Sequence, residues 1–168
     1  SENRAFARWL DRNRRDHAVG GLSSLVISLK PIGGTPGDAT AEQLDILAGL
    51  TERYGLNEIR VTPEQNLVLP HVRNEDLHAV WLALKASGLA TPNAGLATDI
   101  VSCPGMDYCS LATARSIPVA QAISERLEAA GLSEAAGRVT IKVDGCINAC
   151  GHHHVANIGV LGLDKRGE

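Results

Sequence analysis

Glu58-Ile59-Arg60-Val61-Thr62-Pro63-Glu64-Gln65-Asn66-Leu67-Val68-Leu69 decides how the first half of the chain is read. Two short extended runs, 58–62 and 65–69, are parted by Pro63-Glu64, which predicts a hairpin or a bulged pair of strands. Upstream, Thr40 and Gln43 have capping-box spacing, and Leu44, Leu47, Ala48 and Thr51 recur at helical intervals. A helix is therefore expected to run to about Tyr54, where Gly55 stops it, with its apolar face over a sheet. Further upstream, residues 22–29 form a β-prone run that ends in a loop rich in Gly and Pro (Pro31, Gly33, Gly34, Pro36, Gly37). Downstream, residues 74–87 carry Leu77, Val80, Trp81 and Leu84 on one helical face and end at Gly88. The resulting β-α-β-β-α order predicts an α+β fold with a ferredoxin-like half over residues 1–95. Residues 3–18, rich in charge with Phe6, Trp9 and Leu10 as a thin apolar set, read as a lead-in helix or arm.

The second segment, 96–168, follows a turn-rich connection at 91–95 and reads as a mixed α/β unit. Its order is strand, cysteine pair, helix over 116–130, strand over 138–143, cysteine pair, and strand over 155–161. Both cysteine pairs thus follow strands.

Composition narrows the function classes. Hydrophobic residues at 44% against charged residues at 21% allow a packed interior and argue against disorder. A formal charge of -3, no run of Lys or Arg, and only 3% aromatic residues leave no footprint for nucleic acid. The polar start Ser1-Glu2-Asn3-Arg4 and the short apolar stretches predict neither a membrane span nor a signal peptide, and so a cytoplasmic compartment.

In that compartment the four cysteines are not expected to be disulfides. All four lie between residues 103 and 150: Cys103 and Cys109 have five residues between them, Cys146 and Cys150 three, and 36 separate the pairs. Adjacent sheet strands would bring two such loops together. Four thiolates match the one-per-iron requirement of a four-iron cluster, and Gly105, Gly145 and Gly151 leave room for backbone N–H groups to face cluster sulfurs. A structural zinc site also takes four thiolates, although its cysteine pairs usually enclose two to four residues. Reduced thiols packed as small hydrophobes are the third reading, and must explain why all four sit in Gly-flanked turns.

Ser102-Cys103-Pro104-Gly105-Met106-Asp107-Tyr108-Cys109, with Gly145-Cys146-Ile147-Asn148-Ala149-Cys150-Gly151, resembles the signature of sulfite and nitrite reductase hemoproteins. Arg60-Val61-Thr62-Pro63-Glu64-Gln65-Asn66-Leu67 is similar to the family's repeat motif, and the run from His152 through Gly162 extends the resemblance over nearly the whole chain. His152-His153-His154 and the ending Gly162-Leu163-Asp164-Lys165-Arg166-Gly167-Glu168 are most similar to the bacterial assimilatory sulfite reductase hemoprotein.

The resemblance implies a 4Fe–4S cluster on Cys103, Cys109, Cys146 and Cys150, with Cys150 shared with the iron of a siroheme. It implies six-electron reduction of sulfite to sulfide, or of nitrite, as in sulfur assimilation, with electrons from a flavoprotein or ferredoxin. Asn148 would lie close to both cofactors, and Arg60, Gln65 and Asn66 would meet the siroheme carboxylates. Complete members contain two related halves, and this sequence matches the second. The resemblance thus implies a fragment whose missing first half supplies the basic residues that grip the anion, and no catalytic residue is assigned to this chain. Other readings are an iron–sulfur electron-transfer or scaffold module without siroheme, a zinc-stabilised interaction domain, and an oxygenase of cobalamin synthesis on the same scaffold.

Smaller signals read as structural. The three successive histidines point in different directions in a strand or a turn, which favours surface or cofactor-edge packing over a common ion. Lys30 and Lys142 are expected at exposed sheet-edge positions. The 33–37 loop lacks the Gly-Lys-Ser/Thr of a phosphate loop. Asp107 and Glu64 have no partner at a spacing useful for proton transfer.

Overall fold

A computed structural model describes residues 2–164, so the family resemblance carried by 165–168 lies outside the described residues. The chain divides into two compact units, the first from residues up to 31 together with 38–94, the second from 32–37 together with 95 onward. Among the described residues no helix is long and apolar enough to cross a membrane.

The first unit contains helix α1 (Glu2–Asn13), strands β1 (Arg14–Asp16) and β2 (Leu22–Ile27), helix α2 (Ala41–Tyr54), strands β3 (Arg60–Val61) and β4 (Leu67–Arg73), and helix α3 (Leu77–Ala86). Its antiparallel sheet has the order β1-β2-β4-β3. Helix α2 therefore links two strands that are not neighbours, with β4 between them, which is the split β-α-β arrangement the element order predicts. The core joins both layers: Leu25, Ile27, Leu69 and Val72 from the sheet meet Leu47 and Leu50 of α2 and Val80, Trp81 and Leu84 of α3, with Trp9 of α1.

Thr40 caps α2 in a full capping box, its Oγ1 accepting from the Gln43 N–H at 3.2 Å while Gln43 Oε1 accepts from the Thr40 N–H at 3.0 Å. The hairpin turn is closed by Thr62 N–H donating to Asn66 O at 2.9 Å, with Gln65 in the left-handed region at φ 57°.

Several elements differ from the sequence reading. The arm over 3–18 is helical only to Asn13, and 14–16 form an edge strand paired with β2. Strand β4 starts at Leu67 and runs on to Arg73 through Pro70, which sits where the register slips by one residue between Ser23 and Leu25 of β2. A proline inside a sheet is tolerated at such a bulge because no ladder N–H is needed there. The apolar face of α2 is Leu47, Leu50 and Thr51, while Leu44 is 51% exposed. Lys30 is buried, with Nζ donating to Glu64 O, so it is not an exposed edge residue.

The second unit contains strand β5 (Val101–Ser102), helices α4 (Gly105–Tyr108), α5 (Ile117–Ala129) and α6 (Leu132–Ala135), and strands β6 (Ile141–Asp144) and β7 (Ile158–Leu161). All three strands are parallel, in the order β5-β6-β7. Ile100, Ile141 and Val143 pack with Ala120 and Ile123 of α5. The strands are shorter than read: 138–140 and 155–157 lie outside them, Val155 closing a 3₁₀ turn over His153–Val155. Lys142 is half-buried on the central strand β6 and not at an edge. Residues 32–37 are held to this unit by Gly33 N–H donating to Ser124 Oγ at 3.0 Å.

The two leucines of α2 give a direct check on its packing. Leu47→Ala removes a side chain 2% exposed and is expected to cost about 2–5 kcal/mol in urea unfolding. Leu44→Ala is expected to stay within about 0.5 kcal/mol of the parent, and equal losses at the two positions would refute the assigned face.

Candidate functional site

All three parallel strands end at the same edge of the second sheet. There β5 runs into Cys103, β6 into Gly145-Cys146, and β7 into Gly162. The carboxyl edge of a parallel sheet is where α/β folds present loops for binding. Cys103 N–H donates to Val143 O at 3.0 Å and Gly162 N–H to Asp144 O at 2.7 Å, so sheet pairing continues into both outer loops. The connection from β6 to β7, residues 145–157, holds only the short 3₁₀ turn and no α-helix, and it carries Cys146, Asn148 and Cys150.

Glycines set how closely these loops approach. A Cβ on Gly145 would lie 2.6 Å from Ala114 O and 3.0 Å from Gly105 Cα. One on Gly105 would overlap Ser116, and one on Gly162 would overlap the Ala114 methyl. The 112–116 segment ties them: Thr113 and Ala114 N–H both donate to Gly145 O at 2.9 Å, and Met106 N–H donates to Ala114 O at 3.1 Å. The Thr113 hydroxyl donates to the same Gly145 carbonyl at 3.0 Å.

On this frame Cys103 and Cys146 are buried, Cys109 is half-buried at the end of α4, and Cys150 is exposed, all as free thiols. The Cys103 sulfur accepts the Gly145 N–H at 3.1 Å and lies 3.4 Å from Ser116 Oγ, which donates to Cys103 O at 2.6 Å. An N–H already aimed at sulfur is the contact by which a protein tunes a metal-bound thiolate. Among the described residues no three Cys, His, Asp or Glu side chains converge on one ion position. A cluster asks for a wider set, because each iron takes its own thiolate. A cavity of about 460 Å³ beside the second loop is lined by Leu111, Thr113, Cys146, Ile147, Asn148, Leu163 and Asp164.

The second loop is closed by Asp144, the last residue of β6, which is 1% exposed. Its Oδ1 accepts the Gly151 N–H at 2.5 Å, and its Oδ2 accepts the His153 N–H at 3.0 Å and pairs with His153 Nδ1 at 2.7 Å. Burial by itself would raise the pKa of this carboxyl. The Gly151 N–H, the His153 ring and the His153 N–H together outweigh burial and hold it below the usual carboxylate value.

Of the other residues singled out, Asn148 lies in the same loop as Cys146 and Cys150 and lines the cavity. Arg60, Gln65 and Asn66 lie in the first unit. Arg60 is exposed, its Nε paired with Glu58 Oε1 at 2.5 Å, and Gln65 holds the hairpin turn. Asn66 is buried, its Oδ1 accepting the Leu29 N–H at 3.1 Å. Asp107 pairs with Arg115 at 2.6 Å. His153 and His154 stack at 3.9 Å between ring centroids. Asp144, Thr113, Ser116 and Gly162 were not singled out. Their contacts run to atoms elsewhere in the chain, and no local pattern in the sequence selects them.

The sequence profile of the family described as "Nitrite/Sulfite reductase ferredoxin-like half domain" matches residues 27–87. A ferredoxin–nitrite reductase of Synechococcus elongatus is 35% identical over 77% of this chain and 25% of its own length. A sulfite reductase [ferredoxin] of Mycolicibacterium paratuberculosis is 31% identical over 88% of this chain and 27% of its own. The solved structure of the Mycobacterium tuberculosis NirA protein superposes with a TM-score of 0.74 at 26% identity, covering 93% of this chain and 29% of that one. The chain thus spans about a quarter of the length of these relatives.

Gly145→Ala tests the close approach of the loops. Overpacking against Ala114 O is expected to cost about 1–3 kcal/mol in thermal unfolding and to speed alkylation of buried Cys103. Gly49→Ala in α2, where a Cβ meets nothing within 4 Å, is expected to be neutral or stabilising. A Gly145 variant as stable as the parent would show that the loops can part freely.

Proposed function

Since the chain belongs to the nitrite/sulfite reductase family, we propose that this quarter-length stretch lies in the cluster-binding half of a siroheme-dependent sulfite or nitrite reductase. The observation that carries the reading is the pair of cysteine loops at one edge of a parallel sheet, packed on each other through Gly105 and Gly145. The relatives compared are named as ferredoxin enzymes acting on nitrite or sulfite, which supports ferredoxin as donor and either anion as substrate of the whole protein.

The residues present fit a four-iron cluster by their chemistry. Four free thiols are available, one already takes an N–H from Gly145, and the glycines leave no Cβ between the loops. Cys103, Cys109, Cys146 and Cys150 would hold the cluster, and Cys150, the exposed thiol, would be the one shared with siroheme iron. When bound, the two groups supply single-electron carriage and a site where the anion is reduced. This chain's own part is to present the thiolates, keep Cys103 and Cys146 from solvent, and set Asn148 between Cys146 and Cys150 in the wall of the cavity. Arg60, Gln65 and Asn66 are proposed to meet siroheme carboxylates. Of the three, Arg60 is the residue whose charge suits that role, while the Asn66 carbonyl is already committed to Leu29.

The test is anaerobic reconstitution of the chain with iron and sulfide, followed by siroheme. About four irons and four sulfides per chain are expected, with a cluster absorption band. Heme bands should then be perturbed by the cluster in the parent and unperturbed in Cys150→Ser. Stoichiometric zinc with no retained iron, or four thiols that still titrate free, would overturn the reading.

A further inference from the structure

We propose that Asp144 is the positioning residue for Cys150, fixing its backbone through the peptide that joins it to Gly151. The inference rests on the reading of Cys150 as a cofactor ligand, but its physical content belongs to the chain alone. A carboxylate 1% exposed is costly to bury unless its oxygens are satisfied. All three of its donors come from one short segment, Gly151 to His153, at the far end of the loop that starts beside it. The Gly151 N–H belongs to the Cys150–Gly151 peptide, so its bond to Oδ1 sets the plane of that peptide and the direction in which Cys150 leaves the backbone.

Strain on both sides of this peptide supports the assignment. Ala149 at φ 53° and His152 at φ 58° are non-glycine residues in the left-handed region, and they bracket Cys150-Gly151. Such residues cost about 1–3 kcal/mol each and persist where the surroundings over-determine them. The reversal at Ala149 turns the chain back toward β6, where Asp144 waits. A Cβ on Gly151 would lie 2.9 Å from Asp144 Oδ1 and 3.3 Å from Val143 O, so the approach needs glycine. His153, the third anchor, is fixed from the opposite side as well, because a Cβ on Gly159 of β7 would strike the His153 carbonyl. The loop is thereby pinned at β6 and β7 while Cys150 itself stays exposed.

Hydrogen exchange on the chain without cofactors decides the matter. In Asp144→Ala the amides of Gly151 and His153 are expected to exchange at least about tenfold faster, while those of Gly145, Ala120 and Cys109 keep parental rates. Asp144→Asn, equal in size and with one acceptor left, should fall between, and it carries the test if the alanine variant does not fold. Parental exchange at Gly151 and His153 would overturn the proposal, and so would an equal loss of protection across β5, β6 and α5, which marks a general core role. In reconstituted protein, the same variants should keep iron while losing the Cys150-dependent perturbation of the siroheme bands. A parent chain that takes up no iron would sink the functional reading and leave the exchange result to judge Asp144 by itself.

Discussion

The second unit depends on backbone meeting backbone. Gly105, Gly145 and Gly162 each stand just past a β-strand end, and none has room for a Cβ. The shared neighbour is the 112–116 segment, whose N–H groups converge on the Gly145 carbonyl. A Cβ at any of the three would force its neighbours to shift. Cys103 would then lose the Gly145 N–H, and the two cysteine pairs would no longer rise from one surface. The approach of the two cysteine loops is thus set by what is missing at three positions.

How much of this was legible in the sequence follows from the range of each contact. The face of α3 was read correctly at Leu77, Val80, Trp81 and Leu84, because a short helix between two breakers offers few registers. Helix α2 was placed by its capping box, and of its expected face Leu47 and Thr51 are buried while Leu44 and Ala48 are exposed. Leu44, Ile46, Leu47 and Leu50 surround that helix on several sides, so periodicity alone does not choose which of them the sheet covers. Strand β1, Arg14-Arg15-Asp16, carries no β-prone residue and pairs with β2, a contact invisible in local composition. Lys30 was misread for the opposite reason. Its charge suggested solvent, whereas its ammonium reaches the Glu64 carbonyl inside the fold.

The site divides in the same way. Cysteine number, spacing and flanking glycines are local, and they carry both the loop positions and the proposed metal chemistry. The groups that shape those loops act through main-chain atoms far along the chain, as Ser116 does on Cys103 and Thr113 on Gly145. Asp144 precedes Gly145, and an Asp-Gly pair reads as an ordinary turn. Nothing in that dipeptide foretells that the carboxylate is buried and takes donors seven and nine residues on.

Why a charge at that place, when an apolar residue would be cheaper to bury? Three polar donors from Gly151 and His153 face the end of β6, and an apolar side chain there would leave them unsatisfied. A neutral amide accepts at one atom only, and its NH₂ would confront one of the donors. Only a carboxylate offers two accepting oxygens in one plane, matched to the Gly151 N–H on one side and His153 on the other. The strained turns at Ala149 and His152 are then consequences of the same demand: a chain leaving β6 must reverse tightly to return its amides to Asp144. Cys150 sits at the crest of that reversal, which is why it is the exposed member of a set whose other loop is anchored by a buried sulfur.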